Sequence, residues 1–275
     1  MKSSRSGQTR ILDTQYFINE INELIHHNLD KRWMATEWNR IQQGEDPRNI
    51  HPIVRVAFKA HAQIESLRRS GGAGITPEIW ELAELAIKVN ALKRSKIPGV
   101  DTRIARLTSK DFYLYRTSRY EIQIGGMLLQ RGHKVEFIEE CKKKTPDILI
   151  RNRDSECEIE CKHKEPSEDQ INYIRSIYNN TQTARKQFSK MRPGSIFIEI
   201  EKPRFDEYEV ERKRLAEEMG RAMRNSSSIS AIFLTSKVDI EEKGDLVYRH
   251  RVSGMLSSNP RHPLPRSLLE NIVTM

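Results

Sequence analysis

The segment KKKTPDILIRNRDSECEIECKHK, residues 142–164, contains the pattern from which the fold prediction starts. Two runs in which apolar and polar residues alternate, 147–152 and 156–163, flank the turn residues Arg153-Asp154-Ser155. Alternation with a period of two on both sides of a short turn is typical of a β-hairpin. A shorter alternating run around Val135 and Phe137 precedes it, which gives three consecutive strands.

The hairpin predicts where the charged side chains of these strands lie. Since successive side chains point to opposite faces of a strand, Glu160 and Lys162 share one face. Folding of the hairpin brings Asp147 across from Cys161 or Lys162. Asp147 and Glu160 are then expected to lie close together at one end of the sheet.

The two carboxylates, Asp147 and Glu160, predict a metal site. Carboxylates so placed repel each other unless a positive charge compensates them, and a divalent cation with hard oxygen ligands is a natural solution. A nearby lysine can orient, or help to deprotonate, a water bound to that cation. These are the parts that hydrolysis of a phosphodiester bond requires.

The first hundred residues are predicted to be helical. Apolar residues recur at intervals of three to four, and capping residues or glycines mark several of the ends. The helical segments are approximately 14–25, 33–43, 52–67 and 77–92. Ser95–Asp101, which contains Pro98-Gly99, is predicted to be a linker. We therefore expect a helical N-terminal module at 1–108 and a second domain at 109–275.

The second domain is predicted to be of the α/β class. A helix from Ser109 to Gln130, with a break at Thr117-Ser118, precedes the three strands, and another helix follows them. A strand at 195–201, a charged helix at 206–224 and a strand at 229–235 predict a crossover that joins parallel strands. An edge strand at 246–252 and an irregular tail complete the chain. This order of elements indicates a mixed sheet with helices on its faces.

Pro146-Asp147 on one strand and Glu160-Cys161-Lys162 on the next resemble the signature of the PD-(D/E)XK, or restriction-endonuclease-like, nuclease superfamily. The order of elements from Tyr120 to Glu201 is similar to the common core of that superfamily, which is a helix, an antiparallel three-stranded meander, a second helix and a fourth strand. The resemblance implies a restriction-endonuclease-like mixed sheet of the order α-β-β-β-α-β, flanked by helices and preceded here by the all-helical module.

The resemblance also implies roles for individual residues. Asp147 and Glu160 would hold Mg²⁺ or Mn²⁺ together with the backbone carbonyl of Cys161, and Lys162 would serve the attacking water. Glu121 matches a further glutamate on the first core helix, where it would bind a second metal ion or a water of the first. An alternative for Glu121 is structural, because Ser118-x-x-Glu121 also fits a capping box.

Further basic and polar residues are candidates for contacts with nucleic acid. Lys142, Lys143 and Lys144 directly precede the motif, either as contacts to backbone phosphates or as a solvated loop. Gln182 and Lys186 lie one turn apart on the helix that follows the motif. The corresponding helix contributes a Gln or a Lys in some members of the superfamily.

Other residues of the third strand have structural explanations. Glu158 is expected to be solvated or to lie at the edge of the substrate. Cys157, Cys161 and His163 share the opposite face, but their spacing along an extended strand spreads them too far apart for one zinc ion. The two cysteines are therefore expected to be core residues under the sheet.

Composition indicates which class of partner and which cellular compartment to expect. The 275 residues carry a formal net charge of +9, and residues 1–112 hold 18 basic against 13 acidic residues. This excess of basic residues favours a polyanionic partner. The helical module is therefore expected to bind nucleic acid or to mediate a homodimer or larger assembly. No apolar run reaches the roughly 20 residues of a membrane helix, so no membrane contact is expected. The polar N-terminus and the three cysteines favour a cytoplasmic protein.

These observations together predict a metal-dependent nuclease that hydrolyses phosphodiester bonds. The superfamily favours DNA over RNA as the substrate, in defence against foreign DNA or in DNA processing. Two alternatives remain open, namely a catalytically inactive nucleic-acid-binding protein with the nuclease fold and a protein-interaction module whose basic surface keeps it soluble. The complete set of two acids and a lysine argues against both alternatives.

Overall fold

The computed structural model describes residues 14–70, 75–139, 145–152, 155–163, 170–200, 202–242 and 245–273. The chain divides into two compact units, Met1–Asn90 and Ala91–Met275. This division lies earlier than the predicted boundary after residue 108, so that residues 91–108 belong to the second unit. None of the helices in the described ranges combines the length and the apolar character that a membrane crossing needs.

The first unit is helical, which confirms the predicted character of this part of the chain. Its helices are α1 (Thr14–Glu23), a π-helical continuation (Leu24–Asn28), α2 (Lys31–Gln42), a short 3₁₀ turn (Pro47–Asn49), α3 (Pro52–Ser70) and α4 (Pro77–Arg94), the last turn of which lies past Asn90. Local signals set two of the starts. The Asp30 side chain accepts a hydrogen bond from the Trp33 amide, and the Thr76 hydroxyl accepts one from the Ile79 amide, as N-cap residues do.

The second unit contains a six-stranded mixed sheet with helices around it. Its helices are α5 (Val100–Arg106), α6 (Phe112–Gln130), α7 (Gln170–Ala184), α8 (Lys202–Arg224) and α9 (Arg266–Val273). Its strands are β1 (Lys134–Phe137), β2 (Ile148–Asn152), β3 (Ser155–His163), β4 (Gly194–Glu199), β5 (Ile229–Glu242) and β6 (Asp245–Leu256).

The strands lie side by side in the order in which they occur along the chain. Antiparallel pairs join β1 to β2, β2 to β3 and β5 to β6, whereas β3–β4 and β4–β5 are parallel. The predicted hairpin, parallel pair and edge strand are therefore confirmed. Parallel pairing of β3 with β4 requires a crossover, and α7 supplies it.

Helices cover both faces of the sheet. On one face, Ile196 and Ile198 of β4 belong to a buried cluster with Leu215 of α8. On the other face, α6 lies against the sheet, where the Tyr120 hydroxyl shares a hydrogen bond of 2.7 Å with the Thr235 hydroxyl of β5. Both faces are thus buried, as expected for a sheet that contains parallel strands.

The segment Ser95–Asp101, predicted to be a linker, packs against β1 instead. The carbonyl of Pro98 accepts a hydrogen bond of 2.9 Å from the Phe137 amide, and α5 begins at Val100. Gly99 adopts a φ of 74° in the left-handed region and lies against the Phe137 backbone. The Pro-Gly pair therefore marks a tight turn within the second unit and not a linker.

Two further predictions of secondary structure need correction. Helix α6 is continuous from Phe112 to Gln130, with no break at Thr117-Ser118. The Thr117 hydroxyl donates to the Tyr113 carbonyl one turn earlier, as a hydroxyl within a helix can, and Ser118 is buried in the same helix. The tail after Pro265 is helical over α9, because Leu268 inserts into the core and anchors an amphipathic turn.

Substitution of Gly99 by Ala should lower the free energy of unfolding by about 2–4 kcal/mol. The left-handed φ disfavours a Cβ, and a Cβ would lie 2.2 Å from the Phe137 carbonyl oxygen, which is backbone and cannot turn away. Gly132 is the matched control, because its φ is 83° but a Cβ there would meet nothing within 4 Å. Gly132→Ala should cost about 1 kcal/mol. Equal losses in urea unfolding would contradict the role of the contact.

Candidate active site

Asp147 and Glu160 lie opposite each other where the β2–β3 hairpin opens. Ile148 pairs with Ile159, so the next position outward places Asp147 beside Glu160, one or two residues from the predicted partner. Two hydrogen bonds fix the aspartate. Its amide donates to the Ile159 carbonyl at 3.0 Å, and its Oδ2 accepts from the Cys161 amide at 2.7 Å. The Asp147 carboxylate is therefore held at the end of the sheet.

Glu160 and Lys162 share a face of β3, as the alternation of the strand requires. The Lys162 Nζ lies 2.5 Å from Glu160 Oε1. Glu160 is only 2% exposed, and its second oxygen, Oε2, has no hydrogen-bond partner among the described residues. The Lys162 side chain is 22% exposed, so it contacts both the buried Glu160 carboxylate and the solvent.

Glu121 approaches the same region from α6. The capping-box alternative for this residue is wrong, since α6 begins at Phe112 and the Asp111 side chain caps it by accepting from the Tyr113 amide. Glu121 instead lies inside the helix, 2% exposed, with its Oε2 2.7 Å from the Nε of Arg103 on α5. The glutamate thus forms a buried ion pair.

The pKa values show that the carboxylates of Asp147, Glu160 and Glu121 interact. These three groups and their partners Lys162 and Arg103 are called the cluster below. Burial, followed by the charge of Asp147, raises the pKa of Glu121 to about 7, although Arg103 acts in the opposite direction. Burial and Asp147 likewise raise the pKa of Glu160 to about 8 against the influence of Lys162. The cluster therefore holds protons near neutral pH unless a cation replaces them.

Lys162 responds to the same charges. Burial by itself would lower its pKa, but the Glu160 and Asp147 carboxylates outweigh that effect and raise it. The side chain is accordingly an ammonium at neutral pH, and an ammonium donates hydrogen bonds but accepts none. Lys162 is thus suited to orient a water or to neutralise a phosphate oxygen.

The donor chemistry of this cluster fits a hard divalent cation. Carboxylates are the ligands that Mg²⁺ and Mn²⁺ prefer, and the unpartnered Oε2 of Glu160 is a buried acceptor that lacks a donor among the described residues. Within the described ranges, no group of three or more His, Cys, Asp and Glu side chains is already arranged to hold a metal ion. Glu160 pairs with Lys162 through Oε1 only, whereas Glu121 pairs with Arg103 through Oε2.

The apparent affinity for Mn²⁺ should rise from pH 6 to pH 8. The carboxyl group of Glu160, with a pKa of about 8, carries a proton at the lower pH, and an ion that binds this carboxylate must displace it. Each displaced proton changes the affinity by up to about tenfold per pH unit. Calorimetric titrations at pH 6, 7 and 8, in buffers of different ionisation enthalpy, measure both the affinity and the protons released. A flat affinity with no proton release would contradict the expectation.

The structure does not bring all predicted residues to this place. Gln182 donates to the Ala222 carbonyl of α8 at 3.3 Å, and Lys186 lies in a turn past the end of α7. Lys142, Lys143 and Lys144 lie outside the described residues. The assignment of these five residues to nucleic-acid contacts stays a prediction.

Glu158 was expected at the solvent and is instead buried, 3% exposed. The Ser189 amide donates to its Oε2 at 2.6 Å, and the Arg192 guanidinium lies 3.4 Å from its Oε1. These partners come from the chain between α7 and β4, so Glu158 anchors that connection. The expectation that Cys157 and Cys161 are core residues is confirmed, since both are buried free thiols.

Sequence reasoning missed one charged partner of the cluster and one separate network of charged side chains. One is Arg103, which lies within the stretch assigned to the helical module. The other is a network in which Glu199 of β4 accepts from Arg119 at 3.0 Å and lies 2.6 Å from His163 Nδ1. A positively charged side chain near three carboxylates can be expected on grounds of charge balance, but no local pattern identifies the residue that supplies it. Its identity depends on contacts between distant parts of the chain.

Comparison with known proteins gives no further information. No protein-family model matches the chain, and neither curated proteins nor solved structures gave a match. The geometry of the hairpin and the residues around it is therefore what any functional proposal must rest on.

Proposed function

We propose that this chain is a metal-dependent nuclease that hydrolyses phosphodiester bonds, with DNA as the substrate. The observation that carries the proposal is the position of Asp147 beside Glu160 across the hairpin, with Lys162 2.5 Å from Glu160. Two acids and a basic group converge where the strands separate. That combination suits a divalent cation and a phosphate better than it suits a purely structural role, because the buried acids raise each other's pKa.

The arrangement of the elements supports the same proposal. Helix α6, the antiparallel strands β1, β2 and β3, the crossover helix α7 and the strand β4 follow each other in the order of the PD-(D/E)XK core. Asp147 lies directly before β2, and Glu160 and Lys162 lie towards the end of β3. We therefore propose that the second unit has a restriction-endonuclease-like fold.

Each residue of the cluster has a defined task in this mechanism. Asp147 and Glu160 would bind Mg²⁺ or Mn²⁺, with the Cys161 carbonyl as a further oxygen. When bound, the cation supplies a Lewis acid that stabilises negative charge on the phosphate. Lys162 donates hydrogen bonds from its Nζ to the attacking water or to a phosphate oxygen, and so orients the two reactants.

The choice of DNA rests on the family resemblance and on charge. The net charge of +9 favours a polyanion, and the surplus of basic residues in 1–112 makes the helical part the expected site of backbone contacts. Binding through phosphates should weaken steeply with salt. We propose a role in defence against foreign DNA or in DNA processing.

The experiment that tests the function incubates the purified full chain with supercoiled, linear and single-stranded DNA and with RNA. Each substrate is tested in Mg²⁺, in Mn²⁺ and in a chelator. We expect cleavage of DNA with either metal and none in the chelator. Salt-sensitive binding without cleavage under any metal would favour an inactive nucleic-acid-binding protein, and no binding at low salt would favour a protein-interaction module.

Lys162→Ala should lower the rate of cleavage by about 10²–10³-fold while the protein still binds Mn²⁺. The ammonium contributes orientation and charge at the phosphate but is not a ligand, so the loss falls on the chemical step. Lys134→Ala, an exposed lysine on β1, serves as the control and should cleave at the wild-type rate. Equal rates for both variants in a plasmid-nicking assay would contradict the assignment of Lys162.

A further inference from the structure

We propose that the site loads a single divalent cation, and that Arg103 is a positioning residue that keeps Glu121 out of its ligand shell. The inference rests on the proposed function and narrows it. It departs from the first of the two expectations for Glu121, which were the binding of a second ion or of a water of the first. The observation behind it is the buried ion pair between Arg103 Nε and Glu121 Oε2, 2.7 Å apart.

Arg103 cannot easily leave this position. Its side chain is 0% exposed, its Nη2 donates to the Ile138 carbonyl at 2.7 Å, and its guanidinium lies 5.7 Å from the centre of the Phe137 ring. Helix α5 itself is tied to β1 through the Pro98 carbonyl. An ion that recruited Glu121 would have to leave a buried guanidinium without its counter-charge, which is strongly unfavourable.

The charges of the cluster also favour one ion over two. Asp147, Glu160 and Glu121 contribute three negative charges when ionised, and Arg103 and Lys162 contribute two positive charges through their ion pairs. Arg106 adds a further positive charge that acts on Glu121. A second divalent cation would therefore add two more positive charges to a buried region in which Glu121 already has its counter-charge.

The number of bound ions tests this inference without any measurement of activity. Mn²⁺ is titrated into the wild-type full chain and followed by calorimetry and by electron paramagnetic resonance, which distinguishes isolated ions from a spin-coupled pair. We expect one isolated Mn²⁺ per chain. Glu121→Gln, which keeps the shape of the side chain, should also bind one ion, more weakly by about tenfold because the Arg103 charge is then uncompensated.

The double variant Arg103→Met with Glu121→Gln is the matched control, because it removes both charges and leaves the net charge of the cluster unchanged. It should bind one ion with close to wild-type affinity. Arg103→Met alone releases Glu121 and should bind a second, weaker ion, whereas Arg103→Lys should keep the count at one. A merely structural role for Arg103 would not change the number of ions.

The outcomes separate the inference from the proposed function. Two ions in the wild type and one in Glu121→Gln would overturn the inference and leave a nuclease with two metals. A count of one in a folded Arg103→Met protein would overturn the positioning role of Arg103. No bound Mn²⁺ in the wild type would overturn both the inference and the metal-dependent function. If Arg103→Met fails to fold, the numbers of ions bound by Glu121→Gln and by the double variant still decide whether Glu121 is a ligand.

Discussion

Replacement of Asp147 by Asn should abolish Mn²⁺ binding and lower DNA cleavage by about 10³-fold or more. The aspartate supplies one of the two carboxylates that face each other across the hairpin, and loss of its charge removes a proposed ligand and, with it, the cation. Asn retains an oxygen that can accept the hydrogen bond from the Cys161 amide, so the hairpin should keep its geometry. Initial rates of plasmid nicking and calorimetric titration with Mn²⁺ measure the two effects.

Asp147→Asn should lower binding and cleavage but should not lower the thermal stability of the protein. Asp147 raises the pKa of both Glu121 and Glu160, which shows that the three carboxylates repel one another. Without metal at pH 8, Asp147→Asn should therefore unfold at a temperature at least as high as the wild type. Asp101→Asn, at an exposed aspartate of α5, is the control and should leave binding and cleavage unchanged. An active or markedly less stable Asp147→Asn protein would show that the site is assigned wrongly.

Arg103→Met should lower the free energy of unfolding by about 3–5 kcal/mol at pH 8. The substitution leaves Glu121 as a buried carboxylate without its partner, and such broken pairs are strongly destabilising. The loss should be smaller at pH 6, because Glu121 can then take up a proton and become neutral. Urea unfolding at both pH values measures the difference.

The double variant Arg103→Met with Glu121→Gln again provides the comparison for stability. Removal of both charges leaves no unpaired ion from this pair, so it should recover most of the lost stability. Equal destabilisation in the single and the double variant would show that Arg103 acts through packing on Phe137 and the Ile138 carbonyl, not through the charge of Glu121.

Stability without metal should also fall as the pH rises from about 5 to 8. The folded-state pKa values of Glu121 and Glu160 lie above the usual value for a glutamate, so the folded chain holds more protons than the unfolded chain in this range. Each raised pKa therefore favours the folded state at low pH and loses that effect as the group ionises. Saturating Mn²⁺ should remove the trend, because the ion compensates the ionised carboxylates. Thermal unfolding across this pH range, with and without Mn²⁺, is the measurement.

Local patterns predicted the parts of the fold that local forces determine. The alternation in 147–152 and 156–163 and the short turn between them specify the hairpin, and the register follows to within one or two residues. For the same reason the neighbourhood of Asp147, Glu160 and Lys162 could be predicted. A period of two places Glu160 and Lys162 on one face whatever the rest of the chain does.

The predictions that failed depend on contacts between distant residues. Ser95–Asp101 has the composition of a linker, yet the Phe137 amide, much later in the chain, binds it to the sheet. Glu158 has the pattern of a solvated residue on a strand, but Arg192 and Ser189 bury it. Glu121 could be placed on the first core helix, whereas its partner Arg103 could not be identified from periodicity or spacing.

The ion pair between α5 and α6 also determines how the chain can be shortened or recombined. A fragment that began at Ser109, the predicted domain start, would keep every carboxylate of the cluster and lose the guanidinium that neutralises one of them. Replacement of residues 1–108 by the helices of another protein would remove Arg103 in the same way. Residues from Ala91 onward belong to the same compact unit as the sheet, so a shortened chain has to keep α5 together with α6.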